Sequence, residues 1–133
     1  MPEKVEVELL DKTGMTTKGV LSYASEAPWF INFYSSSLGS YTINGDDLFD
    51  TLCNLRIKLE QGGWYILCSG ARIDAYPSRM SRQMSGGQKL YILETGKPAS
   101  IQDLVDIFQP SSADKVGTVN EQLTYYKKWL ASL

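Results

Sequence analysis

Two hydrophobic periods inside one short chain restrict what it can fold into. Val5-Glu6-Val7-Glu8-Leu9 alternates strictly between apolar and charged residues. That is the pattern of a half-buried strand, with Val5, Val7 and Leu9 toward a core and Glu6 and Glu8 toward water. Leu48, Leu52, Leu55 and Leu59 instead recur at i, i+4, i+7 and i+11, the stripe of a core-facing helix. Asn44 is a candidate cap for that helix, with Asp47 as reciprocal partner. Gly62-Gly63 is its stop, and Arg56 and Lys58 late in the helix suit its dipole.

The other segments fill in around these two. Met15 to Tyr23 reads as a second strand after a turn at Gly14. Trp29 to Tyr34 is aromatic and β-branched and reads as a third, with Pro28 at its first position. Tyr41-Thr42-Ile43, Trp64 to Cys68 and Lys89 to Leu93 are further strand candidates. Residues 101–108 fit a helix or a strand, and Leu104 to Phe108 before Pro110 favours the strand. The final element is a helix opened by Thr118 and Glu121 at capping-box spacing, with Leu123, Tyr126, Leu130 and Leu133 as its apolar repeat. Strands, a helix, more strands and a closing helix predict an α+β fold: a mainly antiparallel sheet with two principal helices packed on one face. The 133 residues form a single domain, 1–133, since a domain commonly holds about 100–150 residues.

Composition narrows the chemistry. The chain contains no histidine, which removes the commonest general base, the Ser-His-Asp and Cys-His relays, and His-containing zinc sites. Thirteen basic and fifteen acidic residues give a net charge of −2, which argues against direct nucleic-acid binding driven by overall charge. The first residues lack the pattern of a secretory signal, and no apolar run approaches the ~18–20 residues of a membrane span. The expected location is the cytoplasm, and no membrane partner is expected. Cys53 and Cys68 lie within apolar patterns and read as reduced core thiols. Asp46-Asp47-x-x-Asp50 lacks the pattern of a calcium loop. Neither a metal nor a cofactor is expected.

Function concentrates in residues 68–91, a long connection between two strand candidates. It carries Arg72, Arg79, Arg82 and Lys89 against Asp74 alone. Ser78 can cap a short helix over 79–85 that Gly86-Gly87 would stop. Met80 and Met84 would then share one face, and Arg79 and Arg82 another. Four readings are open for this segment. It is a capped helix with its methionines in the core and its arginines in water, or a protein-contact surface, in which arginine and methionine are enriched. It is an anion site built from Arg72, Arg79, Arg82 and the backbone donors of Gly86-Gly87, or a small catalytic site using Asp74 or Tyr76 as acid or base. As surface arginines, Arg79 and Arg82 should be replaceable without loss of the fold. Two acidic clusters compete with this segment as a docking surface: Glu3, Glu6, Glu8 and Asp11, and the Asp46, Asp47, Asp50 group.

Gly63-Trp64-Tyr65-Ile66-Leu67-Cys68-Ser69-Gly70-Ala71-Arg72, Tyr76-Pro77-Ser78-Arg79-Met80-Ser81-Arg82-Gln83-Met84, Asp106-Ile107-Phe108 and Thr118-Val119-Asn120-Glu121-Gln122 with Trp129 together resemble a family of small bacterial proteins. That family is similar to the immunity proteins that accompany contact-dependent and polymorphic toxins. The resemblance covers about the C-terminal two-thirds of the chain and brings no catalytic residue with it. It implies a cytosolic, non-catalytic protein that neutralises one cognate toxin domain, and many such toxins are nucleases with basic clefts. Arg72, Asp74, Tyr76, Arg79 and Arg82, or else Asp46, Asp47 and Asp50, would meet that partner. The alternatives are a small enzyme or anion-binding domain using the Arg72–Arg82 segment, and a regulatory or structural homodimer.

Overall fold

A computed structural model describes residues 2–133. The first four strands form a meander: β1 (Glu3–Asp11), β2 (Thr16–Tyr23), β3 (Phe30–Ser35) and β4 (Gly39–Asn44). After α1 (Leu48–Gln61), strand β5 (Trp64–Ile66) returns to pair with β1. The result is a five-stranded sheet in the order β4-β3-β2-β1-β5, antiparallel at every pairing. The alternation at residues 5–9 decides which face of β1 is covered. Val7 and Leu9 are buried, Val5 is half-buried, and Glu6 and Glu8 are exposed. The turn between β1 and β2 is tied by the Asp11 carboxylate. It accepts from the Thr13 and Met15 amides and the Thr13 hydroxyl at 2.7–2.9 Å.

The rest of the chain builds a second layer. Short strands β6 (Ala75–Tyr76), β7 (Lys89–Ile92) and β8 (Leu104–Asp106) form a second antiparallel sheet. Between them lie α2 (Arg79–Ser85) and, before β8, a 3-10 turn at Ile101–Asp103. The ambiguous 101–108 segment is therefore both things in sequence, a helical turn followed by a strand. The closing helix α3 (Val119–Ala131) opens with the full capping box. Thr118 Oγ accepts from the Glu121 amide at 3.0 Å, and Glu121 accepts from the Thr118 amide at 2.9 Å.

The α+β architecture thus holds, with two differences of detail. The strands divide into two sheets. Helix α1 lies on the inner face of the large sheet against β3, β4 and β5, whereas α3 packs against β6 and α1. Leu48, Leu52, Leu55 and Leu59 are all buried, as their spacing predicts. Each contributes about 1.5–3 kcal/mol of burial relative to an exposed side chain.

Two sequence expectations about helix ends and faces need correction. Asp47, and not Asn44, caps α1: its carboxylate accepts from the Asp50 amide at 2.7 Å, and Asn44 is the last residue of β4. The reason is geometric, because β4 runs through Asn44 and the chain needs Gly45 and Asp46 to turn into the helix. In α3 the core-facing residues are Gln122 and Trp129, with Leu123, Tyr125 and Tyr126 half-buried, while Leu130 is exposed, and Leu133 lies exposed beyond the end of the helix. Trp129 fills more volume than Leu130 and its Nε1 finds the Lys97 carbonyl at 2.8 Å. Gln122 reaches three backbone carbonyls. These groups fix the rotation of the helix.

Among the described residues no helix is long and apolar enough to cross a membrane.

Candidate functional site

Helix α2 forms where Ser78 and Gly86 allow it. Ser78 Oγ accepts from the Ser81 amide at 3.0 Å. Gly86 closes the helix in the left-handed region at φ 70°. A Cβ there would also lie 2.5 Å from the Trp29 ring, so only glycine fits. The helix is held to the body by polar bonds. Arg82 Nε donates to Asp47 Oδ2 at 2.7 Å. Ser81 Oγ donates to the Lys89 carbonyl at 2.9 Å. The Phe49 amide donates to the Gly86 carbonyl at 3.0 Å.

No side chain of α2 is buried. Met80 and Met84 stand 72% and 82% exposed, beside exposed Arg79 and Gln83. The reading that tucks these methionines into the core is corrected. Residues 79, 80, 83 and 84 form one outward face, and Ser81, Arg82 and Ser85 form the face turned to the protein. Arg79 and Arg82 consequently do not share a surface.

The basic segment and the acidic cluster meet at one point. Asp47 caps α1 and is the ion-pair partner of Arg82, so these two residues knit the start of α1 to α2. The Arg82 guanidinium also lies over the Phe49 ring, 5.3 Å from its centroid. Asp50 half-faces solvent and accepts from the Asp46 amide at 2.9 Å, and Asp46 is exposed. Arg72 and Asp74 form a separate two-bonded pair at 2.8 Å for both bonds, beside the Val116 bridge. That bond to Asp74 raises the Arg72 pKa further. Lys89 pairs with Asp106 at 3.2 Å.

Of the four cations in the segment, Arg72, Arg82 and Lys89 are each matched by a carboxylate. The amides of Gly86 and Gly87 donate to the Arg82 and Ser81 carbonyls as the helix stop. Tyr76 stacks on Tyr126 at 3.9 Å and meets Phe49 edge-on at 5.0 Å. Burial raises its phenol pKa. Apart from exposed Arg79, the groups proposed for anion binding or acid–base work are therefore engaged in holding the fold. Arg79 is exposed, as a replaceable surface arginine requires, whereas Arg82 is paired, and a carboxylate at position 82 would face Asp47.

The polar centre that sequence reasoning missed lies deeper. Arg56 is 2% exposed. It donates to Gln122 Oε1 at 2.6 Å and to the carbonyls of Gly70 at 3.2 Å and Gly117 at 3.0 Å. Gln122 Nε2 donates in turn to the carbonyls of Gly70, Arg72 and Ala75 at 2.8–3.0 Å. One signal was present in the sequence: Arg56 stands at i+4 from Leu52 and i−3 from Leu59, on the flank of the buried stripe. The network fixes the 3-10 turn at Ser69–Ala71 against α1 and α3, and so positions the start of the 68–91 connection.

Burial pushes the Cys53 and Cys68 thiols up to about 11. At pH 8 such a thiol is only about 0.1% thiolate, against about a quarter for an ordinary one. With an aromatic disulfide reagent at pH 8, the native protein is expected to react slowly at both cysteines. Two equivalents should react promptly in denaturant. Prompt reaction of a native thiol would contradict this placement.

Of the acidic N-terminal set, Glu6 and Glu8 remain together on the exposed face of β1. Glu6 pairs with Lys18 at 3.3 Å on the open face of the sheet, and Asp11 is committed to its turn. No protein-family model and no curated protein matches this chain.

Proposed function

We propose that this chain is a binding protein that recognises another protein through the outward face of α2, carrying Arg79, Met80, Gln83 and Met84. Its proposed partner is the catalytic domain of a cognate toxin, neutralised in the cytoplasm by being covered. The observation that supports this reading is the exposure of Met80 and Met84 on a helix that buries no side chain of its own. A helix that fills no core is kept in place by Arg82–Asp47, Ser81–Lys89 and the Phe49–Gly86 bond. What it contributes is a rigid platform for flexible apolar side chains. Methionine adapts to the shape of a partner, and arginine beside it supplies the bonding that interfaces favour.

The toxin comes from the resemblance to immunity proteins, and the net charge of −2 suits approach to a basic catalytic cleft. Against the rival reading, a small-molecule or anion site, stands the internal pairing of Arg72, Arg82 and the Gly86 and Gly87 amides, which leaves Arg79 alone outside.

The test is co-expression with the toxin domain encoded by the adjacent gene. The two chains are expected to co-purify and the cells to survive. Met80→Asp combined with Met84→Asp should weaken binding at least about tenfold, equal to about 1.4 kcal/mol. Both positions are exposed, so the unfolding free energy should change by less than about 0.5 kcal/mol per site. Unchanged affinity would remove α2 from the interface, and failure to bind any adjacent toxin domain would remove the function.

A further inference from the structure

The sulfur atoms of this chain fall into two sets. Cys68 is buried and Cys53 half-buried, and burial pushes both thiols up to about 11. At pH 7 such a thiol is about 0.01% thiolate, and the thiolate is the form that an oxidant attacks. The described methionines are placed in the opposite way. Met15, Met80 and Met84 are all exposed, and Met84 is the most exposed of the large apolar side chains. A thioether has no proton to lose, so its sulfur keeps its lone pairs available at any pH. Met80 and Met84 share the outward face of α2 one helical turn apart, while Met15 lies between β1 and β2.

We infer that Met80 and Met84 are oxidation sites through which peroxide controls recognition by α2, an inference that rests on reading that face as the partner surface. In each, a sulfur lone pair attacks one oxygen of hydrogen peroxide. The S–O bond forms, the O–O bond breaks and water leaves. Sulfur gives up two electrons and the peroxide takes them, so each methionine becomes its sulfoxide.

The placement separates binding from stability. No side chain of α2 is buried. The helix is held by Arg82 on Asp47, by the Ser81 hydroxyl on the Lys89 carbonyl and by the Phe49 amide on the Gly86 carbonyl. None of these bonds uses a methionine side chain. Two sulfoxides therefore leave the helix in place and replace its flexible apolar tips with polar ones. A partner pocket that accepts a thioether would have to strip water from a sulfoxide oxygen, which is unfavourable without a new donor. A bound partner covers both sulfurs, so oxidation acts on the free chain and blocks new association. Methionine sulfoxide reductases, one for each sulfur epimer, reverse the change.

The test treats the full chain with hydrogen peroxide, free and in complex with the adjacent toxin domain. Peptide mass spectrometry reads about 16 Da for each oxygen gained. In the free chain Met15, Met80 and Met84 are expected to gain oxygen while Cys53 and Cys68 stay reduced. In the complex Met80 and Met84 should be protected and Met15 should not. The oxidised chain should keep its urea midpoint, bind the toxin domain at least about tenfold more weakly, and recover after reduction by the sulfoxide reductases. Met80→Leu with Met84→Leu keeps an apolar face without sulfur, and should bind equally before and after peroxide. Oxidation of both methionines with no loss of affinity would overturn the proposal. So would oxidation of the cysteines first, or a leucine variant that peroxide weakens as it weakens the wild type. Unchanged affinity of the unoxidised Met80→Asp with Met84→Asp variant would instead remove the α2 surface itself, and this control with it.

Discussion

Arg56→Ala is expected to lower the unfolding free energy by about 3–5 kcal/mol, the cost of removing one partner from a buried charged network. The Gly117 carbonyl and the Oε1 of Gln122 would lose their donor inside the core, and the Gly70 carbonyl would lose one of its two. Each such group left unpaired costs about 1–3 kcal/mol. A domain of this size has only about 5–15 kcal/mol in hand, so the variant should melt at much lower urea concentration. Arg56→Lys keeps the charge but offers one ammonium where the guanidinium fans out to several acceptors, and should fall between wild type and alanine. An alanine variant losing less than about 1 kcal/mol would mean that the network does not hold α1, the Ser69–Ala71 turn and α3 together.

Leu52→Ala should cost about 2–5 kcal/mol, the range for deleting a buried leucine whose cavity cannot fully collapse. Leu52 is fully buried, and collapse is limited by what it touches. A Cβ placed on Gly70 would lie 2.6 Å from Leu52 Cδ2 and 2.9 Å from the Ile107 carbonyl. Leu52 therefore rests on the backbone of Gly70, whose carbonyl is gripped by both Arg56 and Gln122. The two substitutions share a neighbour, so their combined effect should depart from the sum by about 0.5 kcal/mol or more. Urea titration of both single variants and the double variant measures this, and strict additivity would contradict the coupling through Gly70.

The parts of the fold that were legible in the sequence are those set by local period and local chemistry. The alternation at 5–9 and the leucine stripe of α1 reappear with the burial their spacing implies. So do the Thr118–Glu121 capping box and the Ser78-to-Gly86 bounds of α2, because each depends on residues a few positions apart. The misses have a common cause. Arg56 and Gln122 find their partners 14 to 66 residues away, so a charge and an amide that look like surface residues become the centre of the molecule.

The same holds in α3, where two helical stripes, 122-126-129 and 123-126-130, are about equally periodic. Only the carbonyls awaiting Gln122 and Trp129 decide between them. At the candidate site, α2 was legible as a helix and its methionines as one face. That Arg82 turns inward depended on Asp47, 35 residues earlier. This one ion pair joins the basic segment to the acidic cluster through Arg82 and Asp47 and leaves Arg79, the methionines and Asp46 outside.

Amide hydrogen exchange, compared between the free protein and its complex with the adjacent toxin domain, tests the α2 surface most directly. Slower exchange on binding is expected across residues 79–86, where the outward face carries Met80 and Met84, with little change in the buried strands β1 to β3. Protection gained elsewhere, with residues 79–86 exchanging as in the free chain, would contradict recognition through α2.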